Sequence, residues 1–254
     1  MDSKTTWRGA DPVASGDEQV ATRLAEVRSR MDAAASAAGR NPNDVRLVAV
    51  SKRLGADAVR EAYAAGLRDF GENYVQEAVA KIGELGELGK LAVKDAAVRW
   101  HFLGSLQSNK AALAVQHFAL LHGIDSLRTV AALSRAASRE GRVVDVLVQV
   151  RLGDRTATRG GIEAEDAPDF LAQSAAHENV RIVGLMGVAD PDLPARRQFA
   201  GLRELSEHLA ALGLERAPLG ELSMGMTGDF EDAVAEGSTL VRIGTAIFGE
   251  RPAN

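Results

Sequence analysis

The sequence predicts an α/β fold: a (β/α)8 barrel of the TIM type, in one domain, with an extra helix ahead of its first strand. Three observations predict it. Eight apolar segments alternate with helix-patterned segments along the chain. Those segments are apolar almost throughout, as the strands of a parallel sheet covered on both faces must be. A length of 254 residues suits one such barrel.

The elements follow in order. Residues 1–17, rich in Ser, Thr, Gly and Asp, predict a disordered extension, and 18–254 the folded domain. Val20, Leu24, Val27 and Met31 recur at helical spacing and predict a helix over 18–39. "GRNPND" stops it. Standing before strand one, this helix packs outside the barrel or caps its floor. Strand one is "VRLVAVSK" (45–52), with "ADAVREAYAAG" (56–66) as its helix. Strand two is "LRDFGEN" (67–73), with a helix from Tyr74. Strand three is "VRWHFLG" (98–104), and "NKAALAV" lies in the helix after it. Strand four is "ALLHGID" (119–125), followed by the long helix "SLRTVAALSRAASREG". Strands five and six are "VVDVLVQVRL" (143–152) and "VRIVGLMGV" (180–188), and a helix covers 195–212. Strand seven is "GELSMG" (220–225), with "DFEDAVAEG" as its helix; strand eight is "LVRIGTAIFG" (240–249). The third crossover is short, and "GELGELGK" breaks the helix before strand three. A doubly wound open sheet is the alternative.

Composition excludes several functions. The chain is 46% hydrophobic and 26% charged, with net charge −5 and no basic run, which argues against nucleic acid or an anionic membrane as partner. It has no cysteine, so disulfides, thiolate nucleophiles and cysteine metal sites are excluded. No apolar run approaches the ~18 to 20 residues of a membrane span, and the start lacks a secretory apolar core. The expectation is a cytoplasmic protein.

Strand ends carry the chemistry in such barrels. Lys52 ends strand one at the barrel mouth, where an ammonium binds an anion or a neutral amine forms an imine with a carbonyl. Strand seven runs into Ser223-Met224-Gly225-Met226-Thr227-Gly228, and strand eight carries Arg242-Ile243-Gly244-Thr245. Loops at these two positions are the usual phosphate site: glycines let backbone N–H groups approach an anion, and Ser223 and Thr245 add hydroxyls. A phosphate there and an imine at Lys52 describe one ligand with an aldehyde and a phosphate. Pyridoxal 5′-phosphate (PLP) fits, and so does a phosphosugar. Alternation along strand eight points Arg242 inward, which is costly without an acceptor. The ring nitrogen of PLP is such an acceptor, and this favours PLP.

Other residues have plainer readings. His101 and His122 are hydrogen-bonded core histidines rather than pocket bases, and no HxH or HExxH spacing supports a metal. Asp69 and Glu72 are ordinary loop or strand-end charges. Asp229 is a helix cap. Met224 and Met226 pack beside a cofactor. Asn109 is a cap, and Lys110 a solvated charge or a lure for anionic ligands. Tyr63 packs mid-helix, and Tyr74 approaches the mouth.

Five stretches, "LVAVSK" (47–52), "FGENYVQEA" (70–78), "WHFLGSLQSNK" (100–110), "LSMGMTGDFEDAV" (222–234) and "GSTLVRIGTAIFGER" (237–251), carry a resemblance to the pyridoxal-phosphate homeostasis proteins of the YggS/PROSC type. The resemblance spans about 20 to 251. It implies a PLP-bound barrel like the N-terminal domain of alanine racemase, fold type III of PLP proteins. It implies a Schiff base (aldimine) on Lys52, with Asn73 near the ring and its hydroxyl. It further implies phosphate contacts from Ser223, Gly225, Gly244 and Thr245, and Arg242 facing the ring nitrogen. Such proteins keep free PLP low and available, with other B6 vitamers and apo PLP-enzymes as partners. The sequence departs from the family at Ser105 (usually Pro), at Arg151 and Arg159 around strand five, and at Gly187 to Ala189 at the end of strand six. These departures are expected to leave the PLP core untouched.

Three functions compete: a PLP holder serving storage or delivery, a racemase-like PLP enzyme of weak activity, and a phosphosugar aldolase. A two-base racemase needs a second acid/base from an additional domain, and the chain ends directly after strand eight. An aldolase leaves Arg242 without a task. The expected protein is a monomeric PLP holder with no catalytic residues and no metal.

Overall fold

The computed structural model describes residues 16–89, 98–153, 160–214 and 216–250. Eight parallel strands close into a barrel in chain order: β1 (Arg46–Val50), β2 (Asp69–Glu72), β3 (Arg99–Phe102), β4 (Leu120–Ile124), β5 (Val144–Gln149), β6 (Val180–Met186), β7 (Glu221–Ser223) and β8 (Leu240–Ile243). Closure is direct, because β8 pairs with β1 in the register Arg46↔Leu240 and Val48↔Arg242. That removes the open-sheet alternative. The helices are α1 (Gly16–Ala37), α2 (Ala56–Ala64), α3 (Val75–Leu85), α4 (Ala111–His117), α5 (Leu127–Arg139), α6 (Ala167–Ser174), α7 (Ala195–Ala210), α8 (Phe230–Ala235) and α9 (Thr245–Phe248).

Strand alternation makes two cores. Val48, Leu120, Leu147, Met186 and Leu240 meet inside the barrel. Phe70, Trp100, Phe102, Phe118 and most other buried side chains fill the layer between barrel and helices. Truncating one of these to Ala costs about 2–5 kcal/mol. Trp100 is fully buried, and its indole N–H donates to the Gly89 carbonyl at 2.9 Å.

Helix α1 lies outside the barrel, against α2, α8 and α9. Its apolar face is the predicted one: Val20, Leu24, Val27 and Met31 are all buried. The position has a reason. Helix α9 is a single turn of four residues, too short to cover its share of the wall, and α1 covers the remainder. Arg30 stacks over the Phe230 ring at 4.7 Å, and the Arg40 guanidinium donates to the carbonyls of Val234 and Ser238.

The differences from expectation are local. Gly16 and Asp17 belong to α1; the rest of the predicted extension lies outside the described residues. Strand eight stops at Ile243, because Gly244 turns to φ −115°, ψ −78° and starts α9. Strand one stops at Val50, so Lys52 sits two residues beyond it, in the turn that follows. Helix α6, with Pro168 in its first turn, was not among the predicted elements. No described helix is long and apolar enough to cross a membrane.

Candidate functional site

Lys52 follows β1 in a turn in which the Leu54 N–H donates to the Ser51 carbonyl and Arg53 takes φ +62°. It is half-buried. The residues on either side of it are held. The buried Ser51 hydroxyl donates to Glu72 Oε1 at 2.8 Å, and its carbonyl accepts from Lys81 Nζ at 2.8 Å. The Arg53 N–H donates to Glu77 Oε1. Lys81 also donates to Glu72 Oε1 at 2.5 Å. Glu72 is therefore no ordinary strand-end charge: it is fully buried. Burial pushes its carboxyl up, while the Lys81 ammonium and the Ser51 hydroxyl pull it back toward the ionised form. Its second oxygen, Oε2, is buried without a partner among the described residues.

Arg242 points into the barrel, as alternation predicts, and keeps 4% of its surface exposed. Its Nη1 donates to Ser223 Oγ at 2.6 Å and its Nη2 to the Gly187 carbonyl at 2.9 Å. Its remaining N–H groups have no partner among the described residues. Burial lowers its pKa to about 10, and Asp229 opposes that; it stays a cation at neutral pH.

Beneath Arg242 a polar chain crosses the barrel interior. Ser223 Oγ lies 2.8 Å from His122 Nδ1. His122 Nε2 lies 2.9 Å from His101 Nδ1, and His101 Nε2 lies 2.9 Å from Asp69 Oδ1. Arg99 closes the lower end with two bonds to Asp69, at 2.7 and 2.5 Å. Burial alone would raise the Asp69 carboxyl; the hydrogen bonds from His101 and Arg99 outweigh it and hold the group well below the usual carboxylate range. Asp69 is thus a buried anchor, not an ordinary charge. The histidines are core histidines as read. Their ring nitrogens touch directly, which leaves no room for an ion between them.

The structure redistributes the residues predicted to hold phosphate. Ser223 is fully buried and bonded on both sides, so its hydroxyl serves Arg242 and His122 rather than the mouth. Met224 is fully buried in the outer core, and its N–H and carbonyl bond to Leu240 and Ser238. It packs away from the mouth. Gly225 takes φ +95°, and a Cβ there would lie 2.6 Å from the Ala233 Cβ, so only glycine lets the loop turn here. The Asp229 carboxylate makes no cap bond to α8; it accepts from the Met226 N–H at 2.6 Å and braces the same loop. Thr227, part of the predicted phosphate loop but given no role there, is half-buried and its hydroxyl has no partner among the described residues. Gly244 and Thr245 begin α9, where the first N–H groups precede the first intrahelical bond.

Asn73, half-buried, borders the mouth beside a cavity of about 420 Å³ whose walls include Tyr74, Gln76, Ser105, Gln107 and Lys110. Gly104 lies so close to Asn73 that a Cβ would sit 2.3 Å from the Asn73 carbonyl oxygen. Tyr63 packs beneath the Arg68 guanidinium at 4.0 Å, away from this cavity. Among the departing positions, Arg159 lies outside the described residues. Arg151 pairs with Glu163 at 3.1 Å and ties down the segment returning to β5. The stretch after β6 does reach the core: the Gly187 carbonyl holds Arg242, through a backbone group that any residue supplies.

Comparisons with known proteins fit this arrangement. The family described as alanine racemase, N-terminal domain, matches residues 22–252. The pyridoxal phosphate homeostasis protein of Escherichia coli (strain K12) is 41% identical over 232 residues, covering 91% of this chain and 97% of that one. PipY of Synechococcus elongatus PCC7942, solved with PLP bound, superposes with a TM-score of 0.76 at 40% identity, over 91% of this chain and all of the other. Alanine racemase of Clostridium difficile 630 shares the fold, with a TM-score of 0.68 at 14% identity, over 93% of this chain and 58% of that longer one. On the extent of these matches, the chain belongs to the pyridoxal phosphate homeostasis protein family.

Proposed function

We propose that this chain binds PLP at the barrel mouth and serves its storage or delivery in the cell. The observation that carries the reading is the adjacency of β1 and β8. It sets the Lys52 turn beside the strand that carries an inward Arg242, a cation at neutral pH with N–H groups to spare among the described residues. When bound, PLP supplies an aldehyde, which the neutral Lys52 amine captures as an imine with loss of water. The clamp on Ser51 and Arg53 fixes where that amine starts. Asn73 lines the ring side. Gly225, Gly244 and Thr245, with the Thr227 hydroxyl that has no partner among the described residues, offer N–H and O–H donors to a phosphate. Arg242 donates to the ring nitrogen and keeps it unprotonated. That makes the ring a weak electron sink, which suits a holder better than a catalyst.

On this reading the protein is a cytoplasmic monomer with no catalytic residues. Other B6 vitamers and apo PLP-enzymes are its further partners. A racemase-like activity is the second reading, favoured by one observation: Tyr74 is 51% exposed at the mouth, where an acid/base could stand.

The test is the visible absorbance of purified protein titrated with PLP, for wild type and Lys52→Ala. An imine band in wild type, fixed by borohydride and missing from the variant, is the expected result. No band in wild type overturns the PLP reading, and a band kept by the variant overturns the Lys52 assignment. Amino acid racemisation by wild type at an enzyme-like rate would favour the second reading.

A further inference from the structure

We propose that His101 and His122 are positioning residues: with Ser223 they form a one-way hydrogen-bonded chain that aims Arg242 from the barrel floor. The proposal rests on the assignment of Arg242 to the ring nitrogen of PLP.

The direction follows from donor and acceptor chemistry. Asp69 is held ionised by two bonds from Arg99 and is acceptor-only. His101 must therefore donate to it from Nε2. With one N–H on that ring, Nδ1 is an acceptor, so His122 donates to it from Nε2. That leaves His122 Nδ1 bare, and the Ser223 O–H donates to it. The Ser223 oxygen then accepts from Arg242 Nη1. Every link has one donor and one acceptor, and no buried group of the chain is left over.

A third proton on the pair breaks this. It reverses His122, whose Nδ1–H then points at a Ser223 oxygen already receiving Arg242. The Ser223 hydroxyl proton is left without an acceptor in a fully buried site. The charges around the pair oppose that proton as well. Burial disfavours a charged His122 most, and His101 of β3, Arg242 of β8 and Arg46 of β1 add to it. Asp69 of β2 faces the pair and is already occupied by Arg99 of β3, and Glu221 of β7, on the same inner face as Ser223, is taken by Arg46 of β1. The apolar interior residues Val48, Leu120, Leu147, Met186 and Leu240 offer that proton no compensating charge.

The consequence lies at the mouth. Arg242 is fixed by two bonds, one to a backbone carbonyl and one to Ser223. The second keeps its direction only while His122 holds the Ser223 proton. Arg242 is thus oriented by residues that never touch the ligand.

Two experiments test this. The first uses wild-type protein without PLP, labelled with 15N-histidine, and long-range 1H–15N correlation spectra from pH 6 to 8. Both rings are expected in the Nε2–H form, with a bare Nδ1, throughout. An Nδ1–H on either ring, or a third proton on the pair within that range, overturns the proposal. The second titrates PLP into folded His122→Phe, His122→Gln and Ser223→Ala. Loss of the aiming bond weakens PLP binding by about tenfold in His122→Phe and Ser223→Ala. The Gln amide, which can accept from Ser223 and donate to His101, restores most of it. Unchanged PLP affinity in both His122→Phe and Ser223→Ala overturns the positioning role. Failure of wild type to bind PLP overturns the functional reading instead, and leaves the chain direction, read without PLP, to stand or fall alone.

Discussion

Two polar networks are buried in this molecule, and they hold opposite ends of the site by different means. Outside the barrel wall, Lys81 and Glu72 form a contact ion pair that grips Ser51, the residue before Lys52. Inside the barrel, Asp69, His101, His122 and Ser223 form a relay that reaches Arg242. The first network puts both charges in one place and fixes a position. The second keeps its charges at its two ends and carries a direction between them through uncharged links. An ion pair tolerates no loss of a partner, because the survivor stays buried and charged. A relay of neutral donors and acceptors degrades link by link.

The comparison predicts unequal costs. Lys81→Met leaves Glu72 buried beside nothing but a hydroxyl, and should lower stability by about 3–5 kcal/mol. Adding Glu72→Gln to that variant should recover a good part, because no buried charge is then stranded; thermal melts of the two variants decide it. A double variant no more stable than the single would show that the pair is not the source of the cost.

Inside the barrel the cost is smaller and depends on pH. The folded-state carboxyl of Asp69 lies well below its ordinary range. Its stabilisation is therefore present above the unfolded carboxylate pKa of about 4 and lost as pH falls below that value toward the folded one. Asp69→Asn keeps an acceptor for His101 but removes the charge facing Arg99. Denaturant unfolding should show the variant about 2 kcal/mol less stable at pH 7, the gap closing as pH drops below about 4. A gap that persists unchanged at low pH would place the cost in packing rather than in the charge.

The fold was legible in the sequence because buried parallel strands write continuous apolar runs, and eight such runs alternate with helices. Strand eight was read too long, since "TAIFG" keeps the apolar character of a strand while Gly244 turns the chain. The inward aim of Arg242 followed from alternation alone. The depth of Ser223 did not, because a hydroxyl suits a phosphate and a buried relay equally well. Asp69 and Glu72 looked ordinary because their partners are remote. Lys81 stands on α3, and Arg99 is thirty residues from Asp69. A charge at a strand end looks the same whether it meets water or a buried counter-charge, and only the closed barrel decides. Polar residues at inward positions of β2, β3, β4, β7 and β8 were the available signal, visible once the strands are laid side by side.

The central claim is that the Lys52 turn and Arg242 together make one PLP site. The most direct measurement is borohydride reduction of PLP-loaded protein, followed by peptide mass mapping. The account predicts a single stoichiometric adduct on the peptide that contains Lys52. An adduct on another lysine, or labelling spread over surface lysines with Lys52 unmodified, would contradict it.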